Sequence, residues 1–287
     1  MTAPPPRARS PRRFGVLPRA GRLLISSDLH GNGADFRALR RRFFELSAAD
    51  SGVHWALLGD LVHGPDPRAR RDDPELYDFD DASWEIVAGV ADLRRRFPGR
   101  VHLVLGNHDH GHVGGPHTHK FYPDEVAQLE ETLDEAQLAT LRALFADALL
   151  LLLAPCGLLL AHGAPDDTLR SAHQLEQLSL DPRRNSAEGN ALLRTLLTSY
   201  GQPEAVASRV LAAVGGELGL DLRVVVHGHD RDPAGFFREG GNQLCPVLFG
   251  APRAQKRYLL VDLAGVYDDA EALVEGCELL HLHPDRA

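Results

Sequence analysis

The chain is poor in several things, and each shortage removes a class of protein. It has three cysteines, Cys156, Cys245 and Cys277, widely separated and odd in number. None sits in a CxxC spacing, so neither a disulfide framework nor a cysteine zinc site is expected. A reducing cytoplasm fits this usage. Long hydrophobic runs are also missing. The most apolar stretch, "ALLLLLAPCGLLLA" (148–161), is cut by Pro155 and Gly157 and reads as two buried strands joined by a turn, not a membrane span. The basic N-terminus lacks an apolar h-region, so no secretory signal is expected. Positive charge is in deficit, with 31 Lys and Arg against 40 Asp and Glu, a net charge of −9. That balance argues against a surface built for duplex nucleic acid. The deficit is uneven, because residues 1–22 hold six Arg and no acid. Residues 1–20, rich in Pro and Arg, read as a disordered tail.

What remains is an ordinary globular composition, 44% apolar and 25% charged, over a 287-residue chain that can bury a sizeable core. Short apolar runs recur, and most end in a polar cluster: "RLLISSDLHGN" (22–32), "VHWALLGDLVHG" (53–64), "VHLVLGNHDH" (101–110), "GLLLAHGAP" (157–165) and "LRVVVHGHD" (222–230). Each reads as a buried strand followed by a loop. Helical patterns lie over 35–48, 82–97, 134–148 and 203–219. In the first, Phe36, Leu39, Phe43 and Leu46 share a face. Alternating strands and helices argue for α/β architecture. The C-terminal runs "QLCPVLFG", "KRYLLVDL" and "CELLHLH" suggest a second, more antiparallel sheet. Residues 166–220 are mostly helical and read as an insert between two polar strand ends. "DPRARRDDPELYDFDD" (66–81) reads as a rim loop.

Side chains at the carboxyl ends of parallel strands converge at one sheet edge, where open α/β folds bind ligands. Five such ends carry Asp28 and His30; Asp60 with His63; Asn107, His108 and Asp109; His162; and His227 and His229. Singly, each is ordinary strand-end capping or turn chemistry. Together they supply carboxylate, imidazole and amide oxygen with almost no sulfur, a set suited to Mn, Fe(II) or Zn. They are too many for one ion and fit two ions with a bridging carboxylate.

In order, "SDLHGN", "GDLVHG", "GNHD", "AHG" and "HGHD" resemble the five motifs of the calcineurin-like metallophosphoesterase superfamily. The set is most similar to the phosphoprotein phosphatase branch and to bacterial relatives that cleave diadenosine tetraphosphate. Any one motif is common; five in the family's order, each at an expected strand end, are specific. The resemblance implies two mixed β-sheets packed as a central sandwich flanked by helices, with a dimetal site at strand ends. It implies one such domain over 21–287, with the helical insert at about 166–220. Asp28 and His30 would bind the first metal and Asp60 would bridge both. Asn107, His162 and His229 would complete the second. His108 would be the general acid and Asp109 would orient it. The implied cofactors are two divalent ions, Mn first, with Fe or Zn as alternatives. The implied activity is phosphoester hydrolysis by a hydroxide bridging them, on phosphomonoesters in the manner of Ser/Thr protein phosphatases.

The substrates so implied are phosphorylated proteins, small phosphoesters or nucleotides. The alternative activity is hydrolysis of diadenosine polyphosphates, since "GDLVHGP" places Gly-Pro where that branch does. A non-catalytic metal-binding scaffold is a third reading. Membrane and nucleic-acid partners are not expected. Two positions depart from the family. His63 and Gly64 stand where the phosphatases have an Asp-Arg pair, and "DHGHVGG" replaces a second phosphate-gripping Arg. His63, Arg68, His110, His112, His227 and Arg231 are therefore the candidates for holding substrate. His110 and His112 lie on a Gly-rich loop leaving the site.

Overall fold

The computed structural model describes residues 12–284. In chain order its elements are β1 (Phe14–Val16), β2 (Arg22–Ser26), α1 (Gly33–Ala49), β3 (Val53–Leu57), α2 (Pro67–Asp72), α3 (Pro74–Tyr77), α4 (Ser83–Arg96), β4 (Val101–Leu103), α5 (Asn107–His110), α6 (Glu125–Glu130), α7 (Glu135–Ala146), β5 (Leu151–Ala154), β6 (Leu158–Leu160), α8 (Ala187–Thr198), α9 (Glu204–Leu218), β7 (Val224–Val226), β8 (Phe236–Glu239), β9 (Gln243–Pro246), β10 (Arg257–Asp262) and β11 (Leu279–His281).

The strands build two mixed sheets, ordered β11-β10-β2-β3-β4 and β1-β5-β6-β7-β9-β8. Strands buried on both faces read as continuous apolar runs, and the alternation along them separates two cores. Leu23, Ile25, Ala56 and Leu58 of one sheet face Leu158, Leu160, Val224 and Val226 of the other. Leu24, Trp55 and Leu57 point outward against Phe36, Leu39 and Phe43 of α1 and Ile86, Val87 and Val90 of α4. On the far side, Leu159 and Val225 meet Leu193 and Leu196 of α8 and Val210 and Val214 of α9. The fold is therefore an α/β sandwich with helices on its outer faces. Asn32 starts α1 by accepting from the backbone N–H groups of Ala34 and Asp35 at 3.1 Å, satisfying donors a helix start leaves open.

Several expectations are corrected. Residues 1–11 of the expected tail lie outside the described residues. Residues 12–20 are built into the fold. Phe14–Val16 pairs in parallel with β5, and the buried Arg13 guanidinium donates to the carbonyls of Ala146 at 2.9 Å and Ala148 at 3.1 Å. Its apolar Phe-Gly-Val run sits on a sheet edge, which composition averaged over twenty residues hides. The C-terminal runs do not form a sheet of their own. β9 pairs with β7 in one sheet, while β10 pairs with β2 in the other. The 66–81 segment is not plain loop but contains α2 and α3, each begun by a proline.

Candidate active site

The five polar strand ends do not share one sheet edge. Those after β2, β3 and β4 come from one sheet, and those after β6 and β7 from the other. They converge because the sandwich brings both sets of carboxyl ends to the same end of the molecule. The turns that deliver them are tight. Asp28, His30, Asp60 and His229 all hold positive φ, between 43° and 69°, a sparsely populated region for residues with a Cβ and a recurrent feature of functional sites. Two glycines explain the close approach. A Cβ at Gly59 or at Gly106 would collide with the backbone of the neighbouring motif, at 2.5 Å and 2.2 Å respectively.

Asp60 sits at the centre, 1% exposed. Its Oδ2 lies 3.5 Å from His30 Nε2 and 3.5 Å from His162 Nε2. Two clusters of possible metal ligands therefore share it, His30–Asp60–His108 and Asp60–His162–His229. Asp28 Oδ1 is 3.9 Å from His30 Nε2. The Asn107 amide lies 3.0 Å from His162 Nε2, 3.0 Å from His229 Nδ1 and 3.2 Å from Asp60 Oδ2. An amide oxygen, two imidazole nitrogens and a carboxylate oxygen thus crowd one point. Lone pairs aimed together in a buried place repel unless a cation lies among them. Supporting contacts hold the set in place. His162 Nδ1 bonds the Leu58 carbonyl at 2.7 Å, and the His229 N–H donates to Asp28 Oδ2 at 3.0 Å.

The electrostatics agree. Burial raises the carboxyls of Asp28 and Asp60 to about 7, the response of carboxylates removed from water without a counter-charge. Burial also drives His30 and His108 well below the ordinary imidazole range and His229 to about 3. Neutral imidazoles are the form that binds divalent ions, and carboxyls pushed toward neutrality are those a nearby cation would return to the ionised form. The donor set therefore fits a pair of borderline divalent cations.

A cavity of about 360 Å³ opens over this floor. Its lining includes Asp28, His30, Asp60, His108, His229 and Arg231, as the sequence led one to expect. It also includes Lys120, Phe249 and Tyr200, which sequence reasoning missed. Phe249 packs on His30 with ring centroids 4.0 Å apart; Lys120 Nζ stands 4.0 Å from the Phe249 centroid, and the Arg231 guanidinium 5.5 Å. Burial, then the nearby Arg231, lowers the Lys120 ammonium to about 7. One signal pointed to it: Lys120 is one of only two lysines in an arginine-rich chain.

Five substrate candidates do not reach this cavity. His110 is buried, bonds the Leu180 carbonyl at 2.6 Å and lines an adjoining pocket instead. His112 is held between His63 Nε2 at 2.9 Å and Glu130 Oε1 at 3.0 Å. His63 is buried behind His108, with the two Nδ1 atoms 3.1 Å apart. His227 is fully buried, with Nδ1 2.9 Å from the Gly228 carbonyl. Arg68, on the exposed α2, pairs with Asp72. The Gly-rich loop does not simply leave the site; it turns back, and its far end contributes His117, Thr118, His119 and Lys120 to the cavity. Asp109 is also corrected. Its carboxylate does not touch the His108 ring but accepts from the N–H groups of Leu61 at 2.9 Å and Gly106 at 3.2 Å, clamping two motif turns together. The carboxylate beside His108 is Glu125, fully buried on α6, with Oε2 3.4 Å from His108 Nδ1.

An α/β sandwich whose strand ends gather two His/Asp clusters around one shared carboxylate defines a class, the metal-centred hydrolases. The family follows from the sequence match: the model described as calcineurin-like phosphoesterase matches residues 21–232. The chain belongs to that family and is a phosphoester hydrolase. Among curated proteins none matches the sequence. Among solved structures, a protein serine/threonine phosphatase from Saccharomyces cerevisiae with similarity to human phosphatase PP5 shares 15% identity over 88% of this chain and 77% of its own, with a TM-score of 0.59. A point mutant of a cold-active protein tyrosine phosphatase shares 14% identity over 89% of this chain and 80% of its own, with a TM-score of 0.55. A metallophosphoesterase from Sphaerobacter thermophilus shares 19% identity over 85% and 84%, with a TM-score of 0.43. At 15% and 14% identity the likeness to the first two is one of fold. No helix among the described residues is long and apolar enough to cross a membrane.

Proposed function

We propose that this chain is a phosphomonoesterase working with two divalent ions, Mn by preference, in the manner of the Ser/Thr protein phosphatases. One observation carries the reading: Asp60 is common to two ligand clusters on the floor of a cavity whose lining also holds two cations, Lys120 and Arg231. In this reading Asp28 and His30 hold one ion, Asp60 reaches both, and Asn107, His162 and His229 hold the other. When bound, such ions stabilise charge on phosphoryl oxygens and make water acidic enough to act as a nucleophile near neutral pH.

The chain's own residues do the rest. Lys120 and Arg231, braced on the Phe249 ring, offset the negative charge of the phosphoryl group where the family's arginines are missing. His108 gives a proton to the departing alkoxide from Nε2. Glu125, whose Oε2 lies 3.4 Å from His108 Nδ1, favours the doubly protonated ring that such a donation requires. Phe249, packed on His30 with ring centroids 4.0 Å apart, covers the floor on that side.

Turnover tests the reading directly. With Mn, p-nitrophenyl phosphate should be hydrolysed, and bis(p-nitrophenyl) phosphate should be at least about tenfold poorer in kcat/KM. Equal use of the diester, or no turnover of either ester with Mn, Fe or Zn, overturns it.

A further inference from the structure

We infer that a second pocket beside the metal centre seats the leaving group of the substrate, and that this group is a compact ring system, aryl or nucleoside, and not a stretch of polypeptide. The inference rests on the phosphomonoesterase reading above and names its substrate class.

The pocket has a volume of about 410 Å³ and lies between the returning end of the His-rich loop and α8. His117 and Thr118 line both it and the metal cavity, so the two spaces meet across one pair of residues. Asn107, whose amide sits among His162 and His229, forms part of its wall. A phosphoryl group over Asp60 therefore has a neighbouring chamber into which its ester substituent can project.

The chemistry of the walls is selective. Pro116, Ala191, Leu193 and Leu197 supply apolar surface. The polar groups nearby are mostly spent. Asn190 donates to the Pro182 carbonyl at 2.9 Å and accepts from Asn185 at 3.1 Å, and His117 Nδ1 is held by Asp124 at 2.8 Å. Arg194 is the exception: it is exposed, lines the pocket, and makes no ion pair among the described residues. A guanidinium free of carboxylates stacks well on a flat ring. Apolar walls with one planar cation, at a volume within the roughly 300–1,000 Å³ of small-molecule sites, suit a ring. A phosphorylated polypeptide would instead need backbone hydrogen-bonding groups along a groove, and the polar groups here are already paired.

The experiment compares kcat/KM, with Mn-loaded full-length enzyme, for adenosine 5′-monophosphate, 1-naphthyl phosphate, glycerol 2-phosphate and a phosphoserine peptide. The adenosine and glycerol esters both leave as alkoxides of similar acidity, so their difference reports the pocket. The ring esters should exceed glycerol 2-phosphate and the peptide by at least about tenfold. The lower KM, which reflects ring binding more than leaving-group acidity, tells aryl from nucleoside. Ala191→Trp, which fills the chamber, should raise KM for both ring esters while changing kcat/KM for glycerol 2-phosphate less than about twofold. Arg194→Gln, at an exposed position with no ion-pair partner among the described residues, should shift the ring esters in the same direction and so reads the pocket if Ala191→Trp folds poorly. Preference for the peptide, no ring preference, or a variant effect equal on all four esters overturns the inference while leaving phosphomonoester hydrolysis standing. No turnover of any ester sinks the phosphomonoesterase reading itself, and the inference with it.

Discussion

Asp60 shows what a single residue can decide. It is buried, held at positive φ, and within 3.5 Å of histidines from both clusters. Residues of this kind were legible because a metal site demands particular side chains a fixed number of residues beyond a strand. Asp28, His30, Asn107, His108, His162 and His229 stand at such positions, and the fold brings them together. Glu125 carries no such signal, since it lies on a helix outside every motif. Its expected effect is specific. Glu125→Gln should lower kcat by about 10- to 100-fold on an alkyl phosphate and by less on p-nitrophenyl phosphate, whose leaving group needs little proton assistance. Metal content, measured by elemental analysis, should not change; equal losses on both esters would mean that Glu125 does not act through His108. Lys120→Met should raise KM for phosphomonoesters by about tenfold with bound metal unaltered. A KM unchanged from wild type in steady-state assays would remove Lys120 from substrate binding.

At the scale of elements, the 3.6-residue apolar periods located α1, α4, α7 and α9 to within a few residues. α8 falls inside the 166–220 stretch that reads as mostly helical, without bounds of its own. The neighbouring strands β3 and β4 carry a testable pair. His54 Nδ1 and His102 Nε2 lie 3.1 Å apart, which requires at least one ring to be neutral. Burial, then the charge of His54, depresses His102 to about 4. A histidine depressed in the folded state adds stability above its unfolded value, near 6.5, and that stability is lost as pH falls toward 4. Chemical denaturation from pH 7 to pH 4 should therefore show stability falling through this window, and His102→Gln should flatten part of the slope. An identical slope in the variant would mean that other groups set it.

The whole molecule depends on a join between two sheets. Candidate ligands come from both, so bound ions would tie the halves of the sandwich together at its most charged point. Removing them leaves buried carboxylates unpaired, which is costly. Chelation should lower Tm and re-added Mn should raise it, the stability gained growing with the logarithm of Mn concentration to roughly 4 kcal/mol at 1,000 times Kd. A Tm indifferent to chelator and Mn, followed by calorimetry, would show that this centre does not hold metal in the folded protein.

By itself the sequence determined the class of chemistry and the alternation of strands and helices. Both follow from local rules: side-chain type sets metal preference, and periodicity sets secondary structure. Only the tertiary structure decided that the five strand ends belong to two sheets, that Glu125 and not Asp109 lies beside the His108 ring, and that Lys120 and Phe249 line the cavity over the floor. These are contacts between residues far apart in the chain. Which distant surfaces meet is set by how apolar faces pack, and packing leaves no local period to read.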